Sequence, residues 1–526
     1  MKKSVDLNII LKLVVVAFIL YGLSFLGYLL PVLNSVLFWI FLLVAAYFTY
    51  KKTEYGLLAL FFELAIGVKG YLFSFDLLGF VVSLRLALFA TVFLIWFYKL
   101  LKNKEEVRFA KARSFPLYAL FTVVLMLGMI VGLTYGNDVK NLFFDVNGYF
   151  YLALAFPLLH VFYERKSLKK LLLVFVAGGV AISAFSIFVA LEFTILHQDS
   201  RPDLAGSISS ELTLDEGDED EIKDKISHSV TAKDELTGPF TLVRRFENEK
   251  PLIYRWTQDV GVAEIAYLAG PFFRVFSPGQ IYSLAVFLVL VFLILKKSVT
   301  KKNNFLDLLP NLPRSYLYGL AGLTLLTVIL GFSRSLWLGL LAAFVFLLFS
   351  LPFKKSMKIV FCSFVSLIIL VIVMKLIVPS AFELVENRVY SIVDPSTESS
   401  GSNRVNMLPP IFAKVSKHLV LGNGFGTTIE YESIVPEKYG TLRVFAFEWA
   451  YLDTILEVGI FGLVVYLFFL LKIFNNLSKK GIVYFQAVLF ALLIVNLTTP
   501  YLNHPLGIGL VLIGLALSEM EKSKIK

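Results

Sequence analysis

The chain has 526 residues, of which 58% are apolar and only 17% are charged, and its mean hydropathy is +0.77. A soluble protein of this length needs more polar surface to stay dispersed. The net charge is +10, but the basic residues form short clusters between long apolar blocks, which excludes a nucleic-acid-binding protein. The composition therefore predicts an integral membrane protein.

Apolar blocks long enough to cross a membrane recur along the whole chain. Because a spanning helix needs roughly 20 apolar residues, they predict an all-α polytopic protein with about fourteen transmembrane helices. The block at 146–163 is either a short span or a re-entrant segment, and the first block lacks a signal-peptide cleavage site, so we expect it to be retained. The predicted spans are 9–30, 34–50, 55–74, 77–98, 115–135, 146–163, 168–196, 280–295, 316–332, 335–351, 357–378, 451–471, 482–499 and 503–518.

Lysine and arginine are concentrated in alternate connections between these blocks. The positive-inside rule then places both termini in the cytoplasm and two long segments, 197–279 and 379–450, outside. The first of these carries an acidic run without the ligand spacing of a calcium loop, and an aromatic and arginine-rich part typical of surface helices. The predicted organisation is N-terminal helices, acidic insert, central helices, external loop and C-terminal helices, at 1–196, 197–279, 280–378, 379–450 and 451–526.

Arginines and glycines in the predicted external region are candidates for binding an anion. Arg334 lies between two spans, where its forked guanidinium suits a lipid diphosphate or serves as an interfacial anchor. Arg404 is either a second phosphate or sugar ligand or a solvated loop residue. Gly422 and Gly424 permit a tight turn, whose amides either face an anion or serve structure alone.

A carboxylate stands where the external loop re-enters the membrane. Glu448 precedes a predicted helix, and Trp449 and Tyr451 follow it. The helix dipole favours a carboxylate there, so Glu448 is either a simple cap or a general base for an attacking sugar hydroxyl.

Ionisable residues also occur inside the predicted spans. Glu63 and Arg85 lie at similar depths on neighbouring spans. Arg85 is therefore either a substrate-binding residue or half of a structural ion pair. No metal-ligand cluster is visible, so we expect no metal and no cofactor.

The external motifs, in this order, are similar to those of the O-antigen ligase and polymerase superfamily of bacterial envelope glycosyltransferases. The family's histidine is replaced here by Glu448 and its asparagine by Trp449. The resemblance covers roughly 320–515 and rests on Ser333-Arg334-Ser335, on Arg404 before Leu421-Gly422-Asn423-Gly424, on Glu448-Trp449-Ala450-Tyr451-Leu452, and on Glu457-Val458-Gly459-Ile460-Phe461-Gly462.

This resemblance implies a GT-C-like, metal-independent, inverting glycosyltransferase of the bacterial inner membrane. The implied donor is an undecaprenyl-diphosphate-linked glycan, held by Arg334 and Arg404 at a site on the external face. Glu448 in place of histidine favours a polymerase of lipid-linked repeat units, with chain-length regulator proteins as partners beside the membrane lipids. The alternatives are a ligase that transfers the glycan to lipid A core in lipopolysaccharide synthesis, and a flippase of lipid-linked sugars.

Overall fold

The computed structural model describes residues 5–77, 80–104, 106–196, 251–269, 272–295, 308–351, 357, 399–433 and 440–520. This part of the chain is mostly helical. Seven of its helices are long and apolar enough to cross a membrane, and five shorter apolar helices accompany them. The predicted span 357–378, most of the acidic insert and Cys362 lie outside the described residues.

Eight helices and one hairpin make up the N-terminal part of the described chain. Ser83 caps α4 by accepting a hydrogen bond from the Leu86 amide, and Asp138 caps α6 through Asn141. The helices are α1 (Val5–Leu29), α2 (Pro31–Lys51), α3 (Thr53–Ile66), α4 (Leu84–Asn103), α5 (Phe115–Thr134), α6 (Val139–Phe150), α7 (Ala155–Val161) and α8 (Arg165–Leu196); β1 (Ser74–Leu77) pairs with β2 (Phe80–Ser83), and 3-10 turns span Arg108–Lys111 and Tyr151–Leu154.

The rest of the described chain adds nine helices and two antiparallel hairpins. The helices are α9 (Leu252–Val260), α10 (Gln280–Leu295), α11 (Arg314–Leu330), α12 (Arg334–Ser350), α13 (Ser399–Asn406), α14 (Leu408–Val415), α15 (Ala450–Lys479), α16 (Val483–Val495) and α17 (Pro505–Glu519). The hairpins pair β3 (Glu264–Ala269) with β4 (Phe272–Phe276), and β5 (Ile429–Ser433) with β6 (Gly440–Val444).

The core of the bundle forms around α8, the most buried of the seven long helices. It packs against α1, α3, α10 and α11. The C-terminal helix α17 is also almost wholly buried. By contrast α1 and α2 bury few of their side chains, as helices in contact with lipid do.

Charged residues from distant parts of the chain meet at one end of the bundle. There Lys169 Nζ lies 2.8 Å from Asp6 Oδ2, and Lys170 Nζ lies 3.0 Å from Glu54 Oε1. We call this the basic end, and we call the opposite end, where α13, α14, β5 and β6 lie, the loop end. That the basic end faces the cytoplasm stays a prediction from the lysine and arginine pattern.

The structure departs from the all-α expectation at the ends of several helices. The span predicted at 55–74 is helical only to Ile66, and the span predicted at 77–98 begins with strand β2 before α4 starts at Leu84. Apolar composition does not distinguish a helix from a short hairpin lying against it, so the sequence pattern merged the two.

Candidate active site

Helix α15 is interrupted two turns after it begins, at Gly459, where the backbone takes φ 72° and ψ 175°. The break exposes main-chain groups that a membrane protein must pair internally. The Leu456 and Glu457 carbonyls accept the amides of Asn423 and Gly424 over 2.7 and 2.9 Å. In return the Ile460 amide donates to the Leu419 carbonyl over 2.9 Å, so the glycine turn and the broken helix form one unit.

The glycines of this unit are required by backbone angle and by space. Gly422 and Gly424 have φ of 77° and 78°. A Cβ on Gly424 would lie 2.1 Å from the Gly132 nitrogen, and one on Gly459 would lie 2.0 Å from the Val420 carbonyl oxygen. Because the Gly422 and Gly424 amides already donate to main-chain carbonyls, the turn has the geometry of a structural element rather than an open anion cradle.

The described part of the loop that is predicted to be external folds over this unit and brings Arg404 and Glu448 together. The Arg404 guanidinium on α13 hydrogen-bonds to the Glu448 carboxylate across 44 residues of sequence. Their side chains are 22% and 52% exposed, so the pair is open to solvent. Trp449 holds Arg404 in place, since its indole N–H donates to the main-chain carbonyl of Arg404 over 2.8 Å.

The loop's own frame consists of α13, α14 and the β5–β6 hairpin. Asn403 donates to Ser433 Oγ over 2.8 Å, which joins α13 to β5. The Lys414 ammonium on α14 donates to the Thr428 carbonyl over 2.7 Å. Burial of this lysine, with Arg443 nearby, lowers its pKa. These contacts give the Arg404–Glu448 pair a folded support.

Arg334 is the first residue of α12, where the helix dipole attracts an anion. Phe332 before it has φ 46°, which is strained for a bulky residue. The turn is held by Arg274, whose Nε donates to the Gly331 carbonyl over 3.1 Å, and by Trp337, whose indole N–H donates to the Val328 carbonyl over 3.2 Å. Arg334 therefore projects from a well-braced turn that favours negative charge.

One loop, residues 496–504, contacts both parts of the site. Thr499 donates to Ser335 Oγ over 2.9 Å, next to Arg334. Asn503 donates to Asp453 Oδ2 over 3.2 Å, in the first turns of α15. Tyr451 is tied into the same region, since its hydroxyl donates to the Leu493 carbonyl over 2.7 Å. The start of α12 and the start of α15 are thus held at one end of the bundle.

Sequence reasoning missed a buried group of carboxyls beneath the glycine turn. Asp145 Oδ2 accepts the Gly426 amide over 2.7 Å, and its carboxyl lies beside that of Glu457, which is 2% exposed. Asp453 lies beside them, and among the described residues its Oδ1 has no hydrogen-bond partner. The signal was the four-residue spacing of Asp453 and Glu457, which puts both on one helix face.

Arg85 is buried in the bundle, with 2% of its surface exposed. Its Nε donates to Glu63 over 2.7 Å, and it also hydrogen-bonds to the Val68 carbonyl. The structure therefore places Arg85 in the buried ion pair with Glu63 and does not bring it to the Arg404–Glu448 pair.

Seven apolar helices of spanning length indicate a multi-pass membrane protein, and Arg404 and Glu448 lie at its loop end. Residues 319–467 match the family model of O-antigen ligases. The match confirms the resemblance to the O-antigen ligase and polymerase superfamily, and it indicates a membrane enzyme of ligase or polymerase type. The matched segment, less than a third of the chain, contains Arg334, Arg404 and Glu448. No curated protein and no solved structure matches the chain.

Proposed function

We propose that this protein is an inverting glycosyltransferase that polymerises undecaprenyl-diphosphate-linked oligosaccharide repeat units without a metal or cofactor. The observation that carries the proposal is the solvent-open Arg404–Glu448 pair, which lies inside the family-matched segment. Arg334 supports it from the braced N-terminus of α12. The site faces the outside of the inner membrane in this proposal, with both termini in the cytoplasm.

Each residue then has one task in the transfer. The acceptor hydroxyl oxygen attacks the anomeric carbon of the donor sugar, and the bond from that carbon to the diphosphate oxygen breaks. Glu448 takes the hydroxyl proton and later releases it to water. Arg334 and Arg404 hold the diphosphate and stabilise the charge that builds on it as it leaves. Arg404 thus exchanges the carboxylate for phosphate when the donor binds, which frees Glu448 to act as the base.

The remaining predicted residues act around these three. Trp449 supports Arg404 through its main-chain carbonyl and, with Tyr451, borders the place where the sugar would lie. Gly422 and Gly424 shape the turn below it. Arg85 stabilises the neighbouring helices through Glu63 in this proposal. In this proposal the chain also has the predicted domain order and crosses the membrane with fourteen helices in a GT-C-like fold.

A ligase is the second candidate, and the description of the matching family model favours it. Chemically the two reactions share donor, base and leaving group. They differ only in the acceptor, which is another lipid-linked repeat unit for a polymerase and lipid A core for a ligase.

Purified protein supplied with fluorescent lipid-linked repeat units tests the proposal. We expect a ladder of glycans that lengthens with time and releases one undecaprenyl diphosphate for each bond formed. The exposed Lys417→Ala variant, in the same loop but outside the pair, serves as the matched control and should give the same ladder. A single product formed only with lipid A core would make the protein a ligase. No product with either acceptor would contradict both.

A further inference from the structure

The basic end of the bundle contains a polar cavity of about 610 Å³ that the proposed transfer does not use. It lies between the end of α2, the start of α3, the end of α4 and the connection from α7 to α8. Four lysines and two glutamates line it, with aromatic rings between them: Lys51, Lys52, Lys99, Lys102, Glu54, Glu164, Tyr50, Tyr98 and Trp96.

The charges in this cavity do not balance. Glu54 is already held by Lys52 and by Lys170, whose Nζ lies 3.0 Å from Glu54 Oε1. Glu164 is the other carboxylate of the lining and also lies near Lys52, so the lining has two carboxylates for four lysines. Positive charge is therefore in excess, and the electrostatic free energy of an anion is lower in this cavity than in bulk water.

A buried hydrogen-bond donor in the lining of the cavity also favours an anion. Trp96 is 4% exposed, and its indole N–H has no hydrogen-bond partner among the described residues. A buried N–H without an acceptor destabilises the protein, so a ligand that supplies an oxygen there gains by pairing it. The ring itself is fixed between Phe93 and Phe156. The cavity, its surplus of lysines and the unpaired N–H of Trp96 in its lining together favour a ligand with a negatively charged oxygen.

The position of the cavity indicates which kind of molecule supplies the negatively charged oxygen. Lys51 ends α2 and Lys102 lies in the last turn of α4, both helices of spanning length, so the lining lies where a bilayer's headgroups begin. The Lys51 and Lys102 ammoniums rest over Tyr47 and Tyr98 at 4.5 and 5.7 Å, an arrangement of base and aromatic ring that suits the membrane interface. We propose that this cavity binds the phosphate of an anionic phospholipid headgroup, independently of the transferase reaction.

Binding of short-chain phosphatidylglycerol to the full-length protein in uncharged detergent tests this proposal, with thermal unfolding and native mass spectrometry as readouts. We expect saturable binding that stabilises the protein and weakens as salt is added. Lys51→Gln and Lys102→Gln should each weaken binding about fivefold. Trp96→Phe keeps an aromatic ring but removes the indole N–H, and it should also weaken lipid binding. Lys479→Gln, an exposed lysine outside the cavity, is the matched control and should bind as the parent does.

Three outcomes would overturn the proposal. One is equal binding of phosphatidylcholine, which carries phosphate without net charge, because the lysines would then only anchor the helices. Another is inorganic phosphate that binds as tightly as the lipid, because the site would then read a soluble anion. The third is parental affinity in the Lys51→Gln, Lys102→Gln double variant, whose exposed side chains can change without loss of folding.

Discussion

Arg334→Ala protein should lose roughly 10²–10³-fold in transfer rate while it still folds and reaches the membrane. The diphosphate gains charge as the glycosidic bond to it breaks, and Arg334 with the first amides of α12 is placed to stabilise that charge. The side chain is not part of the buried core, so its removal leaves the bracing contacts of Arg274 and Trp337 in place. The rate of undecaprenyl diphosphate release, measured at saturating donor, gives the effect.

Two further variants make this result specific. Arg334→Lys should recover only part of the rate, since an ammonium is a point charge without the two-pronged fit to phosphate. Arg314→Ala changes the first residue of α11, also an apolar helix but one that begins at the basic end, and should leave the rate unchanged. Parental activity in Arg334→Ala would reduce this arginine to an interfacial anchor.

The second large effect should come from Glu448→Gln. Glutamine keeps the shape of the side chain and can still accept a hydrogen bond from Arg404, but it cannot take a proton. We therefore expect normal folding, retained donor binding and turnover at least about a hundredfold slower. A carboxylate that only caps α15 would behave otherwise, because replacing a cap costs about 1 kcal/mol of stability and little rate.

Glu430→Gln is the matched control for this experiment. Glu430 also faces an arginine in the same loop, Arg443, at 3.9 Å, and is 65% exposed. Its neutral variant should be fully active. Glu448→His should keep partial activity, because histidine is the residue that the related ligases carry. A Glu448→Gln protein that polymerises at the parental rate would leave Glu448 as half of an ion pair and move the search for the base to Asp453, His418 and His504.

The sequence predicted the helices well and their interruptions poorly. Roughly 20 consecutive apolar residues have few soluble alternatives, so each predicted span in the described residues contains helix, although those at 55–74 and 77–98 also include strand residues. The break in α15 depends instead on hydrogen bonds from residues 419–424, which no local pattern encodes. Gly459 and Gly424 were visible as motifs, but their mutual packing was not.

In the candidate site, too, the individual residues could be predicted from the sequence but their contacts could not. Arg404 and Glu448 were each selected for their chemistry, and neither spacing nor periodicity could pair residues so far apart in sequence. Asp145 stands just outside the predicted span 146–163, whereas in the structure it lies on α6 with its carboxyl against Glu457. Contacts between helices distant in sequence decide such groupings, and these contacts follow from packing rather than from composition.

The proposed site requires the loop end to lie outside the cytoplasm, and single-cysteine labelling measures on which side it lies. In a Cys362→Ala background, Lys417→Cys places a thiol on the exposed surface of the loop, and Lys479→Cys places one at the basic end. A membrane-impermeant maleimide added to intact spheroplasts should label position 417 at once and position 479 only after permeabilisation. Labelling in the reverse order would put Arg334, Arg404 and Glu448 on the cytoplasmic side and contradict the proposed site.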